Sequence, residues 1–177
     1  MPLLLTSPDQ INAYIPQDQA VGRFPIVVRS VDRRIASTQA TVTIAKTAPA
    51  VFADAEKRAL IFHPDGRPVT PENPAKRDQP IVMYAAGLGP TTPIVRGATP
   101  APSSPLAEAA DLQVYFGTPT INGAENIVDW AGLVPGYTGL YQLNLRVPGN
   151  HLRGNALPVS IHVGNVVSTA GPVVAVD

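Results

Sequence analysis

The sequence of 177 residues contains no cysteine. Disulfide frameworks, cysteine-ligated zinc or iron–sulfur centres and thiol nucleophiles are therefore excluded. Charged residues make up only 15% of the chain, against roughly 25% in an average soluble domain. The 13 basic and 13 acidic residues balance, so no basic stripe predicts a nucleic-acid partner. With these residue types absent or scarce, we expect no cofactor.

Long apolar runs are also missing from the chain. No stretch approaches the ~20 apolar residues that a transmembrane helix needs, and we expect no membrane span. The opening segment MPLLLTSPDQ has no basic start and an apolar run of only three leucines. It therefore does not have the pattern of a signal peptide. If the protein is exported, its signal lies outside this segment.

Alternation of apolar and polar residues is the dominant pattern of the sequence. It is clearest in YQLNLRV at 141–147, LPVSIHV at 157–163 and DLQVYF at 111–116. Such alternation is typical of antiparallel strands that have one buried face and one solvated face. The 14 glycines and 20 prolines supply turns between the strands. The pattern predicts an all-β fold, with at most one short helix near 104–110, where a Ser-Pro pair precedes LAEAA.

A seven-residue phrase occurs near both ends of the chain. QINAYIP at 10–16 matches QLNLRVP at 142–148, and the same spacing of 132 relates Gly22 to Gly154. We therefore predict one β unit used twice, with a partial module at 1–48 and a complete sandwich module at 49–177. The partial module either packs on the complete one or is the remainder of a module in a longer protein. Its unpaired edge would favour a homodimer formed by strand addition.

Several phrases occur together in an order that resembles a known family. They are SPDQINAYIP, TAPAVF, NPAKRDQPIVMYAAGLGPTTP, APSSPL, GLVPGYTGLYQLNLRVP and LPVSIHVGNVVS. The series resembles the uncharacterised C-terminal Ig-like domain of secreted acidobacterial (Solibacter-type) proteins, and is similar in pattern to IPT/TIG-type Ig-like modules. The resemblance implies an Ig-like β-sandwich in an extracellular or cell-envelope protein. The family has no established activity, so it supplies no catalytic residue.

Most residues that could carry chemistry have a simpler structural interpretation. In GLGPTT at 87–92, Pro90 removes an N–H that a phosphate cradle would need. We expect Gly87 and Gly89 to supply positive φ at a strand exit. The candidate side chains fall into three groups: the histidines His63, His151 and His162, expected to be solvated; the serines Ser103, Ser104, Ser160 and Ser168, expected to lack an adjacent base; and the carboxylates Asp111, Glu125 and Asp129, expected to be solvated.

Three aromatic residues are the candidate contact residues: Tyr115, Trp130 and Tyr137. Exposed rings stack on sugars or anchor protein interfaces, whereas the structural interpretation places Trp130 in the sandwich core. In that interpretation Tyr137 or Tyr141 ties a corner through its hydroxyl. We expect a non-catalytic structural, adhesive or spacer module with a cell-surface glycan or protein as partner. A carbohydrate-binding module is the alternative, and an enzyme of unknown type, which requires a concave polar site, is the third.

Overall fold

The computed structural model describes residues 1–119, 124–150 and 152–177, and within them the chain forms fifteen strands and no helix. The strands are β1 (Leu3–Thr6), β2 (Ile11–Ala13), β3 (Gly22–Ile26), β4 (Arg29–Ser30), β5 (Ile35–Ala36), β6 (Ala40–Ile44), β7 (Ala50–Val51), β8 (Ile61–Phe62), β9 (Pro80–Ala86), β10 (Leu112–Phe116), β11 (Ala124–Leu133), β12 (Tyr141–Arg146), β13 (Gly154–Val163), β14 (Val166–Val167) and β15 (Val173–Val176). The all-β prediction is confirmed.

Nine of these strands form one curled antiparallel sheet. Its order is β14-β13-β10-β11-β12-β9-β7, with β15 added to β13 and β8 added to β9. Parallel bridges from β15 to Arg58 and Ala75 draw the two ends of the curl together. The result is a sandwich-like body in which β10 lies between β11 on one side and β13 on the other.

The apolar core lies on the inner face of this curled sheet. On β12, Leu143 and Leu145 are fully buried, whereas Gln142 and Asn144 lie on the outer face. Burial of a leucine side chain contributes about 1.5–3 kcal/mol. The alternation in the sequence therefore identifies the inner face correctly. In the described residues the whole buried cluster belongs to the segment from 59 to 176.

Residues 1–48, called here the N-terminal unit, have a different character. They form three two-stranded sheets, β1–β2, β3–β6 and β4–β5. The structure describes every residue of this unit, and none of them is buried. The N-terminal unit thus has strands but no core of its own.

Strand pairing in the N-terminal unit has a counterpart in the nine-stranded sheet. Gly22 lies opposite Ile44 between β3 and β6, and Gly154 lies opposite Val176 between β13 and β15. Both members of the second pair stand 132 residues after those of the first. The two strand pairs therefore share one aligned pair, and an irregularity between Gly154 and Leu157 offsets the following pairs of β13–β15 by one residue relative to β3–β6.

The matching phrases also make the same side-chain hydrogen bond. Gln10 Nε2 donates to Asn12 Oδ1 at 2.6 Å, and Gln142 Nε2 donates to Asn144 Oδ1 at 2.8 Å. Residues two apart on a strand point to the same face, which brings the two amides together. The Gln-x-Asn spacing is thus an outer-face bridge in both places.

The segment 104–110 contains a bend and a β-bridge but no helix, so the short helix that the sequence allowed does not form. Glu108 bridges to Thr92 on one side and to Gly132 on the other. Ala107 is fully buried, and its carbonyl accepts the amide of Leu133 at 2.9 Å. Pairing with β11 therefore outweighs the helix propensity of the Leu-Ala-Glu-Ala-Ala stretch.

Candidate functional site

The turn after β9 carries the GLGPTT motif and touches the end of the N-terminal unit. Gly87 has φ +71°, and a Cβ there would lie 2.0 Å from the carbonyl oxygen of Ala48. Ala48 in return donates its amide to the Gly87 carbonyl at 2.9 Å. Gly89 has φ +96°. The expectation that these glycines supply positive φ is confirmed, and Gly87 also permits close approach of the two backbones.

Gln17 connects the loop after β2 to the turn after β9. Its Oε1 accepts the amide of Thr91 at 3.2 Å and the amide of Val95 at 3.4 Å, and the Thr91 hydroxyl lies 3.1 Å away. Its Nε2 donates to the hydroxyl of Tyr141 at 2.8 Å. Thr91 and Val95 are buried, so the amide of Gln17 satisfies polar groups that water does not reach.

Tyr141 is the centre of this cluster. Its hydroxyl donates to the carbonyl of Gly89 and accepts from Gln17. Burial raises the pKa of Tyr141 to about 12, against a smaller lowering by the Gln17 hydrogen bond. The phenol is therefore neutral at physiological pH, and it ties a corner through its hydroxyl, as the sequence predicted for Tyr137 or Tyr141.

A cavity of about 350 Å³ lies between the N-terminal unit and the sandwich. Tyr14 and Gln17 line one wall, and Gly89 and Tyr141 line the other. The Tyr14 ring packs so closely on Gly139 that a Cβ there would lie 2.5 Å from it. The polar groups on the two walls of the cavity hydrogen-bond mainly to each other. The cavity is therefore better described as a gap in the contact between the N-terminal unit and the sandwich than as a ligand site.

Tyr115 lies on the outer face of the sheet and is half-buried. Its hydroxyl donates to Glu125 Oε2 at 3.2 Å, and its ring is tilted at 58° to that of His162, with centroids 4.9 Å apart. Desolvation raises the pKa of the Tyr115 phenol, and Glu125 raises it further. The ring thus remains accessible beside a carboxylate.

Trp130 is not in the core, and the expectation that it lies there is wrong. A register shift between Val128 and Trp130 turns the following residues of β11 over. Trp130 therefore pairs with outward-facing Asn144 and is half-buried. Its Nε1 donates to Glu108 Oε1 at 3.3 Å, while Gly132 leaves room for the ring, since a Cβ there would lie 2.6 Å from it.

Trp130 also lines a shallow concavity of about 290 Å³ that has an acidic rim. Glu108, Asp111 and Asp129 belong to the same lining. Asp129 is partly neutralised by Arg146, whose guanidinium lies 3.1 Å away. The arrangement offers one aromatic face and several hydrogen-bond acceptors to a ligand.

The three candidate aromatic residues do not form one site. Tyr115 pairs with Glu125 on β11, and Trp130 lies five residues further along that strand, about 16 Å away at ~3.3 Å per residue. Tyr137 is 59% exposed and lies in the connection between β11 and β12. The structure therefore places two of the rings on one outer face and the third at its end.

Two features of the structure were not predicted from the sequence. Ser160 Oγ lies 3.2 Å from His162 Nε2, so the expectation that Ser160 has no adjacent base is wrong. The sequence did contain the information for this contact, because residues two apart on a strand share a face. The second is the Gln17 cluster, whose members are separated by 74 to 124 positions in sequence.

The remaining candidates are dispersed. His63 Nε2 lies 3.2 Å from the carbonyl oxygen of Asn73, and His151 lies outside the described residues. Among residues 1–119, 124–150 and 152–177, no group of three or more His, Asp or Glu side chains could hold a metal ion. In the same residues no helix is long and apolar enough to cross a membrane.

We compared the chain with protein-family models, with curated proteins and with solved structures. None of the three comparisons finds a match.

Proposed function

We propose that the chain is a non-catalytic Ig-like module of an exported bacterial protein, with a structural, adhesive or spacer role. One observation carries this proposal: a well-connected polar cluster, centred on Gln17, Thr91 and Tyr141, joins two parts of the chain. Reactive sites hold polar groups ready for a ligand, whereas this cluster uses its groups internally. The extracellular or cell-envelope location and the Ig-like assignment rest on the resemblance of the sequence.

We also propose that the chain contains an internal repeat, which would suit a spacer role. The matching first pairs of β3–β6 and β13–β15 and the two Gln-to-Asn bridges are what two copies of one unit would produce. We therefore propose a partial module at 1–48 and a complete module at 49–177. Gln17 then acts as a clamp that fixes the angle between consecutive modules.

Distance measurements between spin labels test this role directly. The chain lacks cysteine, so one label can be placed at exposed Val31→Cys and a second at exposed Ser103→Cys without background labelling. A stiff spacer gives one narrow distance distribution when the labelled chain is diluted into unlabelled chain. Gln17→Ala should broaden the distribution, whereas Gln19→Ala, a change of the same chemistry at an exposed position of the same loop, should not. A broad distribution in the parent chain would contradict the proposal.

The proposal that the chain is non-catalytic needs its own experiment, because the Ser160 and His162 side chains lie within hydrogen-bond distance. We expect no turnover of ester or glycoside substrates by the intact chain. Turnover that disappears in Ser160→Ala, with unchanged circular dichroism, would show an enzyme instead.

Carbohydrate binding is the second candidate function, and the concavity beside Trp130 favours it. A half-buried indole with Glu108 and Asp129 at its rim matches the stacking and hydrogen-bonding needs of a sugar ring. Trp130 is the only tryptophan, so its fluorescence reports occupancy directly. A glycan ligand should shift that emission, and Asp129→Asn should weaken binding while Tyr137→Ala leaves it unchanged. No spectral change across a glycan array would remove this candidate.

A further inference from the structure

The N-terminal unit exposes an unusual amount of apolar surface. In the described part of the chain, eleven of the nineteen exposed large hydrophobic residues lie in residues 1–48. They are Met1, Leu3, Leu4, Leu5, Ile11, Ile15, Val21, Val27, Val28, Val31 and Ile35. About half exposed on average, they together leave on the order of 800 Å² of apolar surface in contact with water, spread over the strands and loops of the unit, where singly scattered apolar residues are the usual case.

The sandwich shows what happens to this surface when it is covered. Ile11 and Ile15 stand 132 residues before Leu143 and Val147. Ile11 is 45% exposed, whereas Leu143 and Val147 are 0% exposed. The difference lies in their neighbours, because β12 pairs with β9 as well as with β11. On the N-terminal unit β2 pairs with β1 alone in the described residues.

In the described residues, two central strands of the sandwich, β9 and β10, have no edge free to cover the N-terminal unit. Strand β9 already pairs with β7, β8 and β12, and β10 already pairs with β11 and β13. Both strands are therefore used on their two edges. A second copy of the chain has the same exposed apolar surface on its own N-terminal unit, and the two surfaces can cover each other.

Area and charge both permit this contact. The exposed apolar surface of the N-terminal unit is similar to the ~800 Å² that each partner buries in a standard interface. The unit carries five basic and three acidic residues, so two copies repel each other only weakly. Among the described residues β2 and β3 each pair on one edge only, and a strand edge without a partner favours strand addition.

We propose that residues 1–48 form a two-fold interface between two copies of this chain. The apolar side chains of the two N-terminal units pack together, and the free edge of β2 pairs antiparallel with β2 of the partner subunit. Such an interface is isologous, with the same patch on both subunits. The interface leaves the sandwich faces, including the concavity beside Trp130, open to solvent.

Light scattering after size exclusion, over ~1–100 µM full-length chain, tests the proposal. We expect a particle of twice the 18.6 kDa chain mass. Ile11→Asp, at the exposed edge strand, should raise the dimer Kd at least 100-fold. Ile127→Asp places the same charge at an exposed site on β11 and should leave the dimer intact. A parent chain that is monomeric at ~100 µM, or an Ile11→Asp variant that dimerises as the parent does, overturns the proposal.

Oxidative cross-linking gives a second measurement that does not depend on a destabilising charge. The cysteine-free chain allows single cysteines at Ile11, Asn12 and Ala13, of which at least one should form an intermolecular disulfide across an antiparallel β2–β2 pair. Gln113→Cys, on the outer face of β10, should not cross-link. If none of the three β2 variants forms a disulfide, the edge pairing is wrong.

Discussion

Gln17→Ala should destabilise the protein more than any other truncation of an exposed or half-exposed side chain in the N-terminal unit. The variant removes the acceptor of two buried backbone amides, those of Thr91 and Val95. Leaving a buried donor without a partner costs about 1–3 kcal/mol. The hydroxyl of Tyr141 keeps its bond to Gly89, so it adds little. We expect a loss of about 2–4 kcal/mol in the free energy of unfolding.

Urea denaturation measures this loss, with Trp130 fluorescence and far-ultraviolet circular dichroism as two probes. Gln19→Ala is the matched control, because Gln19 is an exposed residue of the same loop. We expect it to change stability by less than ~0.5 kcal/mol, as surface substitutions usually do. If Gln17→Ala and Gln19→Ala have the same midpoint, Gln17 is not a clamp, and the buried amides of Thr91 and Val95 are satisfied in another way.

Two further predictions concern the same region. Burial raises the pKa of Tyr141 from 10.0 to about 12, so the stability it contributes is complete below pH 10 and is lost between pH 10 and pH 12, by about 2–3 kcal/mol. The urea midpoint of the parent chain should fall as the pH rises through this range, and the midpoint of Tyr141→Phe should fall less. If the two midpoints change equally with pH, the loss of stability does not come from Tyr141. Gly87→Ala should lower the free energy of unfolding by about 2–4 kcal/mol, because Gly87 has φ +71° and the new Cβ would clash with the Ala48 carbonyl oxygen. Gly66→Ala, at φ +82° in open space, should cost only about 1–2 kcal/mol in the same assay.

The strands of the sandwich were predictable because their signal is local. Leu143 and Leu145 alternate with polar residues, and a period of two needs no knowledge of the partner strand. The same reasoning could have paired Ser160 with His162, since both lie on the outer face of β13. The alternation thus predicts which face of each strand is buried.

Trp130 shows where this local reasoning ends. A continuous alternation would put Trp130 on the same inner face as Val128, but the register shift between them reverses the face. A bulge depends on how two strands pair, and the sequence of β11 alone contains no pattern that predicts it. The segment at 104–110 is a similar case, because its backbone bonds go to Thr92 and Ala131, which are distant in sequence.

The Gln17 cluster could not be predicted from the sequence for another reason. Its amide meets Thr91 and Tyr141 only after the chain has folded back across 74 and 124 positions. A glutamine in a polar loop has no local pattern that separates it from Gln19. Long-range polar contacts of this kind appear only in the folded structure.

The position of β15 determines how the protein would respond to tension. Its backbone bonds to β13 on one side and to Lys57, Ala59 and Ala75 on the other. A pulling force directed along β15 would load these hydrogen bonds together in shear. In the part of the chain that the structure describes, β1 pairs with β2 alone, so it has one ladder to resist the same force. Under mechanical stretching the sandwich would hold while the N-terminal unit yields first and lengthens, so the chain would behave as a rigid link preceded by an extensible one.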